Sequence, residues 1–266
     1  MKPPFLIGRL LMRIRPAPVA SMIKHLLFMR RVELATAEGT FWVDPASVLG
    51  QILDASGSYE SHTLAALRRL LRPGDTFVDV GANEGYFSVV ASRLVGAAGH
   101  VVAVEPQLRL QEVLRRNFRL NQCVNITVVP AAISDKPGQA QLQLTPDMNN
   151  SASGMAAPTR YRLPTQVVTC MTLTELFSLQ RVPDEAVMKM DIESWEYEAI
   201  LGSPGLFRSG GIRALILETH PELMHRRGRN AQELTRFLAD CGYNHLADSS
   251  GLAWVHSDRP SPCASC

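Results

Sequence analysis

The sequence predicts an α/β fold in which helices cover both faces of a mostly parallel β-sheet. Two observations predict it. Short apolar segments rich in Val and Ala alternate along the chain with segments of helical periodicity, and a glycine-containing turn follows the first of these strands. With 266 residues, of which 46% are hydrophobic, the chain is long enough for one large domain with an added segment.

The predicted elements follow one another in a regular order after a hairpin over 31–44 that turns at Glu38-Gly39. Five strands are predicted, over 76–80, 100–105, 126–129, 186–192 and 213–219. Five helices are predicted, over 61–71, 86–94, 107–120, 195–201 and 231–241. Sheets of this kind bind ligands beyond the carboxyl ends of their strands.

Two regions depart from this alternation. Segments 139–144 and 165–169 have strand patterns and flank a stretch rich in Asn, Ser, Ala and Pro, which predicts a hairpin-like insertion with a long loop over 145–164. Segments 243–247 and 252–256 are predicted to form an antiparallel pair that closes the sheet. We therefore predict three parts. They are a basic helical and hairpin extension over 1–58, an α/β domain over 59–257 with the insertion at about 139–169, and a flexible tail over 258–266.

Charge is unevenly distributed along the chain. Residues 1–31 contain seven Lys or Arg and no acid, so the other residues carry a net charge of −5 while the whole chain carries +2. Unless the charge is segregated, the near balance excludes a bulk polyelectrolyte partner such as duplex DNA bound without specificity, and the segregation here is only partial. No nucleic-acid partner is predicted.

The basic N-terminal segment allows two interpretations. Its apolar stretches are interrupted by basic residues and are shorter than the ~18–20 residues that span a bilayer. The favoured interpretation is a pair of helices that pack on the main domain or on a second subunit, and the alternative is a basic amphipathic segment on an anionic membrane surface. Five scattered cysteines favour a reducing compartment, so we predict a cytoplasmic protein, peripheral to the membrane under the second interpretation.

The strongest functional signal is the glycine turn directly after the first strand of the domain. It contains Asp79, Gly81, Asn83 and Gly85, and its glycines allow a ligand to approach the backbone N–H groups. The next strand ends in Glu105, whose carboxylate can accept both hydroxyl hydrogens of a ribose. The turn and the acid together predict a nucleoside cofactor.

The residues of the turn discriminate between nucleoside cofactors. Asn83 stands where a dinucleotide fingerprint has its second glycine, and Asp79 would repel a pyrophosphate but suits an ammonium group. A P-loop is excluded because Tyr86 and Phe87, rather than Lys and Ser or Thr, follow Gly85. The turn therefore favours a nucleoside with a cationic amino-acid end, such as S-adenosylmethionine.

Three motifs carry a family resemblance. They are residues 77–88, residues 104–106, and residues 189–193 followed by Glu196. Their sequences and order resemble the FkbM-type family of S-adenosylmethionine-dependent methyltransferases, over roughly 59–220. The family's third motif reads D-x-E-G-x-E, whereas this chain has Ser194 in place of the glycine. The resemblance implies a class I Rossmann-like methyltransferase fold and methylation of hydroxyl oxygens on secondary metabolites or sugars.

The resemblance also implies which residues contact the cofactor. From the methionine end through the ribose to the adenine edge they are Asp79, Gly81, Asn83, Gly85, Glu105, Pro106, Ala132 and Asp135.

Acids and a histidine are predicted to meet at the ends of the fourth and fifth strands. Alternation places Asp191 and Glu193 on one side of the fourth strand, and Glu218 and His220 on one side of the fifth. A hydroxyl acceptor becomes a good nucleophile when a base removes its proton. We predict that His220 or Asp191 is this base and that Glu193 and Glu218 orient it or the substrate. A divalent metal held by the carboxylates is an alternative, and no metal ligands are assigned.

The sequence as a whole predicts an S-adenosylmethionine-dependent O-methyltransferase that acts on a small hydroxylated acceptor. One alternative is a nicotinamide-dependent oxidoreductase with the same layout, against which Asn83 argues. Another is a non-catalytic nucleoside-binding or membrane-docking module, which would bind the cofactor without turnover.

Overall fold

The computed structural model describes residues 3–15, 17–144, 164–246 and 252–257. Its strands are β1 (Val32–Thr36), β2 (Gly39–Val43), β3 (Thr76–Val80), β4 (His100–Val104), β5 (Ile126–Val129), β6 (Ala132–Ile133), β7 (Gly138–Gln143), β8 (Thr165–Met171), β9 (Ala186–Met190), β10 (Ile212–Leu217), β11 (Tyr243–His245) and β12 (Ala253–His256). Its helices are α1 (Pro3–Leu11), α2 (Ala17–Leu26), α3 (Val48–Ser56), α4 (Ser61–Leu70), α5 (Tyr86–Val95), α6 (Leu108–Leu120), α7 (Leu173–Leu179), α8 (Glu196–Leu201), α9 (Pro204–Arg208), α10 (Pro221–Arg226) and α11 (Ala231–Asp240).

Seven strands form the main sheet in the order β11-β12-β10-β9-β3-β4-β5. The strands from β10 to β5 pair in parallel, whereas β12 is antiparallel to both β10 and β11. The predicted parallel sheet and its antiparallel C-terminal pair are therefore confirmed. The strand order reverses between β3 and β9, and the carboxyl ends at such a reversal are where open α/β sheets bind ligands.

The sheet lies inside the protein because helices pack on both of its faces. Every residue of β9 and β10 is buried, which explains the nearly continuous apolar sequence of these strands. Phe77 belongs to one cluster of buried apolar side chains, with Val89 of α5, and Val78 belongs to another, with Leu176 of α7. Neighbouring residues of β3 thus face opposite sides of the sheet.

The predicted insertion forms a second, three-stranded sheet. β7 pairs antiparallel with β8, as the hairpin prediction requires, and β6 pairs in parallel with β8. β6 was not predicted, because two residues are too few to show a periodicity. Residues 145–163 of the predicted loop and the predicted tail 258–266 lie outside the described residues.

The N-terminal extension packs on the main domain. The hairpin turns between Thr36 and Gly39, and the Trp42 N–H donates a hydrogen bond of 2.7 Å to the side chain of Asn117 in α6. Phe41 of β2 lies in the same apolar cluster as Phe77 of β3. Among the described residues, no helix combines the length and apolar character needed to cross a membrane.

The two strands that end at the predicted site are shorter than expected. The fourth predicted strand, 186–192, ends at Met190, and the fifth, 213–219, ends at Leu217. The predicted catalytic residues therefore lie in turns beyond the sheet. The structure also contains four helices that were not predicted, α3, α7, α9 and α10, whereas the six-residue α8 was predicted. Helices this short give only a weak periodic signal.

Candidate active site

The turn after β3 needs a glycine at position 81. Gly81 has a φ of +86°, a conformation that other residues rarely adopt. A Cβ atom on Gly81 would lie 2.0 Å from the carbonyl oxygen of Asp191, so the backbone beyond β9 passes directly against the turn. The N–H groups of Gly81 and Ala82 both donate to the Val104 carbonyl at 3.0 Å. The turn is thus held between the ends of β4 and β9.

Asn83 and Glu105 are joined by a hydrogen bond. The Asn83 N–H donates to Glu105 Oε2 at 2.9 Å, and the Gln107 N–H donates to Glu105 Oε1 at 2.8 Å. Burial raises the pKa of Glu105 to about 7, although these N–H groups oppose the rise. The acid predicted to hold the ribose therefore lies beside the turn, with both oxygens oriented by the backbone.

Asp79 lies beneath the turn. Its side chain is fully buried, and the Ser88 hydroxyl donates to Asp79 Oδ2 at 2.6 Å. Asp79 Oδ1 has no hydrogen-bond partner among the described residues. Burial raises the pKa of Asp79, while the ammonium of Lys189, its neighbour across the β3–β9 pair, acts in the opposite direction.

Gly85 has a packing role in the structure. It precedes α5 with a φ of +82°, and a Cβ atom there would lie 2.7 Å from the ring of Phe118 in α6. The glycine thus allows α6 to pack against the start of α5. Its predicted contact with the cofactor stays a prediction.

The residues predicted at the ribose and adenine edge lie in different places. The Pro106 carbonyl accepts a hydrogen bond of 2.9 Å from the side chain of Gln166 in β8. Ala132 is buried in β6. Asp135 is exposed, and its backbone packs against Gly202 at the end of α8. Contacts of these three predicted residues with a cofactor stay predictions.

A cleft opens beside the glycine turn, at the ends of β3 and β9. Three of the predicted site residues line it, namely Gly81, Asn83 and Asp191. The other lining residues are Leu49, Tyr59, Glu60, Ala82, Glu84, Tyr86, Phe87 and Lys189. The cleft therefore joins the predicted cofactor turn to a predicted catalytic carboxylate.

The N-terminal extension supplies part of this cleft. Leu49 belongs to α3, and Arg31 donates hydrogen bonds of 2.8 and 3.0 Å to the two carboxylate oxygens of Glu84. Glu60 precedes α4 with a φ of +45°. A single Leu or Arg outside any motif carries no signal of a site in the sequence, so Leu49 and Arg31 could be found only from the fold.

The structure brings the predicted catalytic side chains together. Lys189 Nζ lies 3.7 Å from Asp191 Oδ2, and His220 Nε2 lies 3.8 Å from Asp191 Oδ1. Glu193 Oε2 lies 3.7 Å from the same histidine nitrogen. Asp191 is therefore flanked by two basic side chains.

Glu196 organises the turn that carries these residues. It is fully buried, and its Oε1 accepts hydrogen bonds from the N–H groups of Ile192 at 2.9 Å and Ser194 at 3.2 Å. The same oxygen lies 3.5 Å from His220 Nδ1. The Glu196 carboxylate raises the pKa of His220 to about 9, so the ring carries a proton at neutral pH.

Ser194 adopts the conformation that the family's glycine would favour. Its φ is +80°, and that of Glu193 is +53°. The Arg227 guanidinium donates to the Ser194 carbonyl at 2.5 Å and to its hydroxyl at 3.3 Å. A left-handed conformation costs a residue other than glycine roughly 1–2 kcal/mol. The turn is thus kept despite the substitution, with Arg227 holding it.

Burial and neighbouring acids raise the pKa values of Glu193 and Glu218. Burial is the main cause that raises the pKa of Glu193 to about 7, and the charge of Asp191 adds to it. Burial also raises the pKa of Glu218, with Asp191 and Glu60 adding to the rise. Shifted pKa values clustered at a cleft are typical of functional sites.

Three of these residues form a group that could hold a metal ion. One ligand atom from each of Asp191, Glu196 and His220 lies within 4.8 Å of the others. A metal would need a lone pair on a His220 nitrogen, and a pKa of about 9 keeps that ring protonated at neutral pH. A metal ion at this group would therefore have to displace the proton on His220.

The sheet order, the glycine turn and the acid at the neighbouring strand end define a Rossmann-like nucleoside-binding protein. The family model of the methyltransferase FkbM domain matches residues 79–244, more than half of the chain. The chain belongs to the FkbM family of S-adenosylmethionine-dependent methyltransferases. The model of protein-L-isoaspartate(D-aspartate) O-methyltransferase matches residues 20–135. No curated protein sequence matches the chain.

The chain also shows a low similarity to several solved structures. Methyltransferase FkbM from Methylobacillus flagellatus KT is 16% identical with a TM-score of 0.43, covering 78% of this chain and 54% of its own. A SAM-dependent methyltransferase from Aquifex aeolicus is 14% identical with a TM-score of 0.39, covering 74% and 96%. Fibrillarin from Aeropyrum pernix, solved with bound S-adenosyl-L-methionine, is 13% identical with a TM-score of 0.39, covering 73% of each chain. The chain spans about half the length of the Methylobacillus protein and 41% of the length of another protein of known structure that it matches.

Proposed function

We propose that the protein transfers the methyl group of S-adenosylmethionine to a hydroxyl oxygen of a small acceptor. The observation that carries the proposal is that Gly81, Asn83 and Asp191 line one cleft. A cofactor seated on the glycine turn would direct its methyl group towards the end of β9, where an acceptor hydroxyl can reach Asp191. Membership of the FkbM family supports the choice of cofactor.

Cofactor binding is proposed to use the ends of β3 and β4. Glu105 would accept the ribose hydroxyl hydrogens through the lone pairs that its two backbone hydrogen bonds leave available. Asp79 would attract the cationic methionine end from beneath the turn. Ala132 and Asp135 are proposed for the adenine edge on the family resemblance alone.

Asp191 is the general base in this proposal. A base must come within hydrogen-bond reach of the proton that it removes. Asp191 lines the cleft, whereas the pKa of about 9 leaves His220 protonated at neutral pH. As the acceptor oxygen forms its bond to the methyl carbon, the carbon–sulfur bond breaks, its electron pair returns to sulfur, and the hydroxyl proton passes to Asp191. Glu193 and Glu218 would orient His220 and the acceptor.

The proposed acceptor is neutral or cationic. The residues that line the cleft include three acids, Glu60, Glu84 and Asp191, and one base, Lys189. An excess of acids in the lining disfavours the phosphates of a nucleic acid. A hydroxylated secondary metabolite or sugar fits better. The cytoplasm is proposed as its compartment on the cysteine pattern.

Isotope transfer tests both parts of the proposal. The protein is incubated with S-adenosylmethionine carrying a trideuterated methyl group and with separate pools of hydroxylated small molecules, RNA and protein. Mass spectrometry should find the label in the small-molecule pool, in an alkali-stable ether. Label in RNA, in protein or in an alkali-labile ester would contradict the acceptor class. Failure of the protein to bind S-adenosylmethionine in calorimetry would contradict the cofactor.

A further inference from the structure

The N-terminal helices expose most of the large apolar side chains found on the described surface. Of the thirteen large hydrophobic residues that are exposed there, eight lie between positions 6 and 28. They are Leu6, Ile7, Leu10, Val19, Met22, Leu26, Leu27 and Phe28. Phe28 is 83% exposed and Leu26 is 67% exposed. Apolar surface concentrated in this way is typical of an interaction site.

The exposed face belongs to helices that are anchored on their other side. Phe5 and Leu11 are buried, and a Cβ atom at Gly8 would lie 2.1 Å from the Pro45 carbonyl oxygen, so α1 lies directly on the backbone before α3. A buried ion pair between Lys24 and Asp44 holds α2. The outward apolar residues therefore belong to packed helices with a second, unpartnered face.

The charge of the same segment indicates what covers this face. Residues 1–31 carry seven Lys or Arg and no acid. Arg9, Arg13, Arg15 and Arg30 are exposed in the same segment as the apolar side chains. Helices with Leu, Ile and Phe beside Arg lie in the headgroup region of anionic membranes. A second copy of the chain would place basic surface against basic surface, which is repulsive.

We propose that residues 3–30 dock the protein on an anionic lipid bilayer, with the apolar side chains in the headgroup region and the arginines paired with lipid phosphates and carboxylates. The segment ends beside the cleft, because Arg31 binds Glu84 of the glycine turn. Docking would thus hold the cofactor cleft at a fixed height above the membrane. The proposal does not depend on which acceptor is methylated.

Vesicle flotation of the full chain tests the apolar part. Vesicles of phosphatidylcholine with about one-third phosphatidylserine are compared with phosphatidylcholine alone. The test variant replaces Leu26, Leu27 and Phe28 with Gln. Its matched control replaces Val124, Val167 and Leu179, which are exposed elsewhere on the protein. We expect the test variant to lose roughly tenfold or more of its binding to anionic vesicles, and the control to bind as the wild type does.

A second pair of variants tests the charge. Arg9, Arg13 and Arg30 are replaced with Gln, and the control replaces the exposed residues Arg72, Arg119 and Arg236. We expect binding to fall roughly tenfold for the N-terminal variant only, and to fall for the wild type as salt rises from about 0.1 to 0.5 M. Circular dichroism and S-adenosylmethionine binding show that each variant is folded.

Three results would overturn the proposal. The first is a wild type that binds neither kind of vesicle, or both equally. The second is an equal loss of binding in the test and control variants. The third is a dimer, seen by analytical ultracentrifugation without lipid, that the Leu26, Leu27 and Phe28 replacements dissociate, since the apolar face would then belong to a second copy.

Discussion

The two sides of the cleft are held together by different interactions. On the cofactor side, at the ends of β3 and β4, backbone N–H groups hold both oxygens of Glu105 at 2.8 and 2.9 Å. On the acceptor side, at the ends of β9 and β10, Asp191, Glu193 and Glu196 surround His220 at 3.5 to 3.8 Å. The first arrangement depends on the main chain and the second on the balance of ionised side chains.

This difference separates binding from chemistry. Main-chain hydrogen bonds fix the position of the Glu105 carboxyl on the cofactor side, although its pKa of about 7 lets its charge change near neutral pH. The acceptor side changes its charge when one of its side chains gains or loses a proton. A site that removes a proton from an acceptor must be able to do this. Variants of the cofactor side should therefore change the affinity for S-adenosylmethionine, and variants of the acceptor side should change kcat.

The largest expected effect is on turnover, through Asp191. Replacing Asp191 with Asn keeps the shape of the side chain but removes the proton acceptor, so kcat should fall by roughly 10²- to 10³-fold. The exposed residue Asp240, replaced in the same way, provides the control. Wild-type turnover in the Asp191→Asn protein would exclude Asp191 as the base.

The next largest effect should be on cofactor affinity, through Gly81. A methyl group at Gly81 would lie 2.0 Å from the Asp191 carbonyl oxygen and would displace the turn. We expect Gly81→Ala to weaken S-adenosylmethionine binding by roughly 100-fold in calorimetry, since a displaced turn loses its contacts with the ligand.

Gly74→Ala is the matched control for this variant. Gly74 has a similar φ of +89°, but a Cβ atom there has no neighbour within 4 Å. It should lose roughly 1–2 kcal/mol of stability from backbone strain and keep its affinity for the cofactor. Equal affinities in the two variants would show that the approach of Asp191 to the turn is not needed for binding.

A smaller effect should appear in the pH dependence of stability, through His220. Its pKa of about 9 in the folded state lies above the ~6.5 of an unfolded histidine. The protonated ring therefore stabilises the fold fully below pH 6.5, and this contribution is lost as the pH rises through about 9. Allowing for partial exposure, the loss should be about 1–2 kcal/mol in the free energy of unfolding.

Two measurements check this expectation. In denaturant unfolding between pH 6 and 10, the free energy of unfolding of the wild type should fall as the pH rises. That of the His220→Gln protein should not show this fall. The NMR titration of the His220 ring should give a pKa well above 6.5, and Glu196→Gln should lower it. A wild-type ring that titrates near 6.5 would contradict the proposed cation and would restore His220 as a candidate base.

The smallest expected effect concerns Ser194. Glycine adopts a φ of +80° without strain, so Ser194→Gly should relieve the turn. The lost hydrogen bond from Arg227 to the serine hydroxyl offsets part of this gain. The net change should be a stabilisation of about 1 kcal/mol or less in thermal unfolding, with unchanged cofactor affinity. A marked destabilisation would show that the hydroxyl contact outweighs the strain.

The cofactor side was the more predictable from sequence, for a physical reason. Its glycine turn and Glu105 each follow a buried strand directly, so local pattern places them at neighbouring strand ends. The acceptor side was predicted from strand alternation, but β9 ends at Met190, and Glu193 and Ser194 reach their positions through left-handed turns. The residues that alternation selected therefore lie close together, but through a local geometry that alternation did not predict.

Other parts of the site depend on contacts between segments distant in sequence. The Arg31–Glu84 pair spans 53 residues, and the Gln166 hydrogen bond to Pro106 spans 60. Glu196 also lies 3.5 Å from His220, which follows the neighbouring strand β10. No periodicity or motif reports such pairs, so they became visible only in the folded chain.

The central claim is that cofactor binding and proton removal lie on separate sides of one cleft. Calorimetric titration of S-adenosylmethionine into the wild type, Glu105→Gln and Asp191→Asn tests it most directly. An amide at position 105 presents its NH2 donor to the N–H group of either Asn83 or Gln107, so affinity should fall roughly 10- to 100-fold. Asp191→Asn should bind within about twofold of the wild type, because its carboxylate acts on the acceptor. Wild-type affinity in Glu105→Gln, or an equal loss in both variants, would contradict the account.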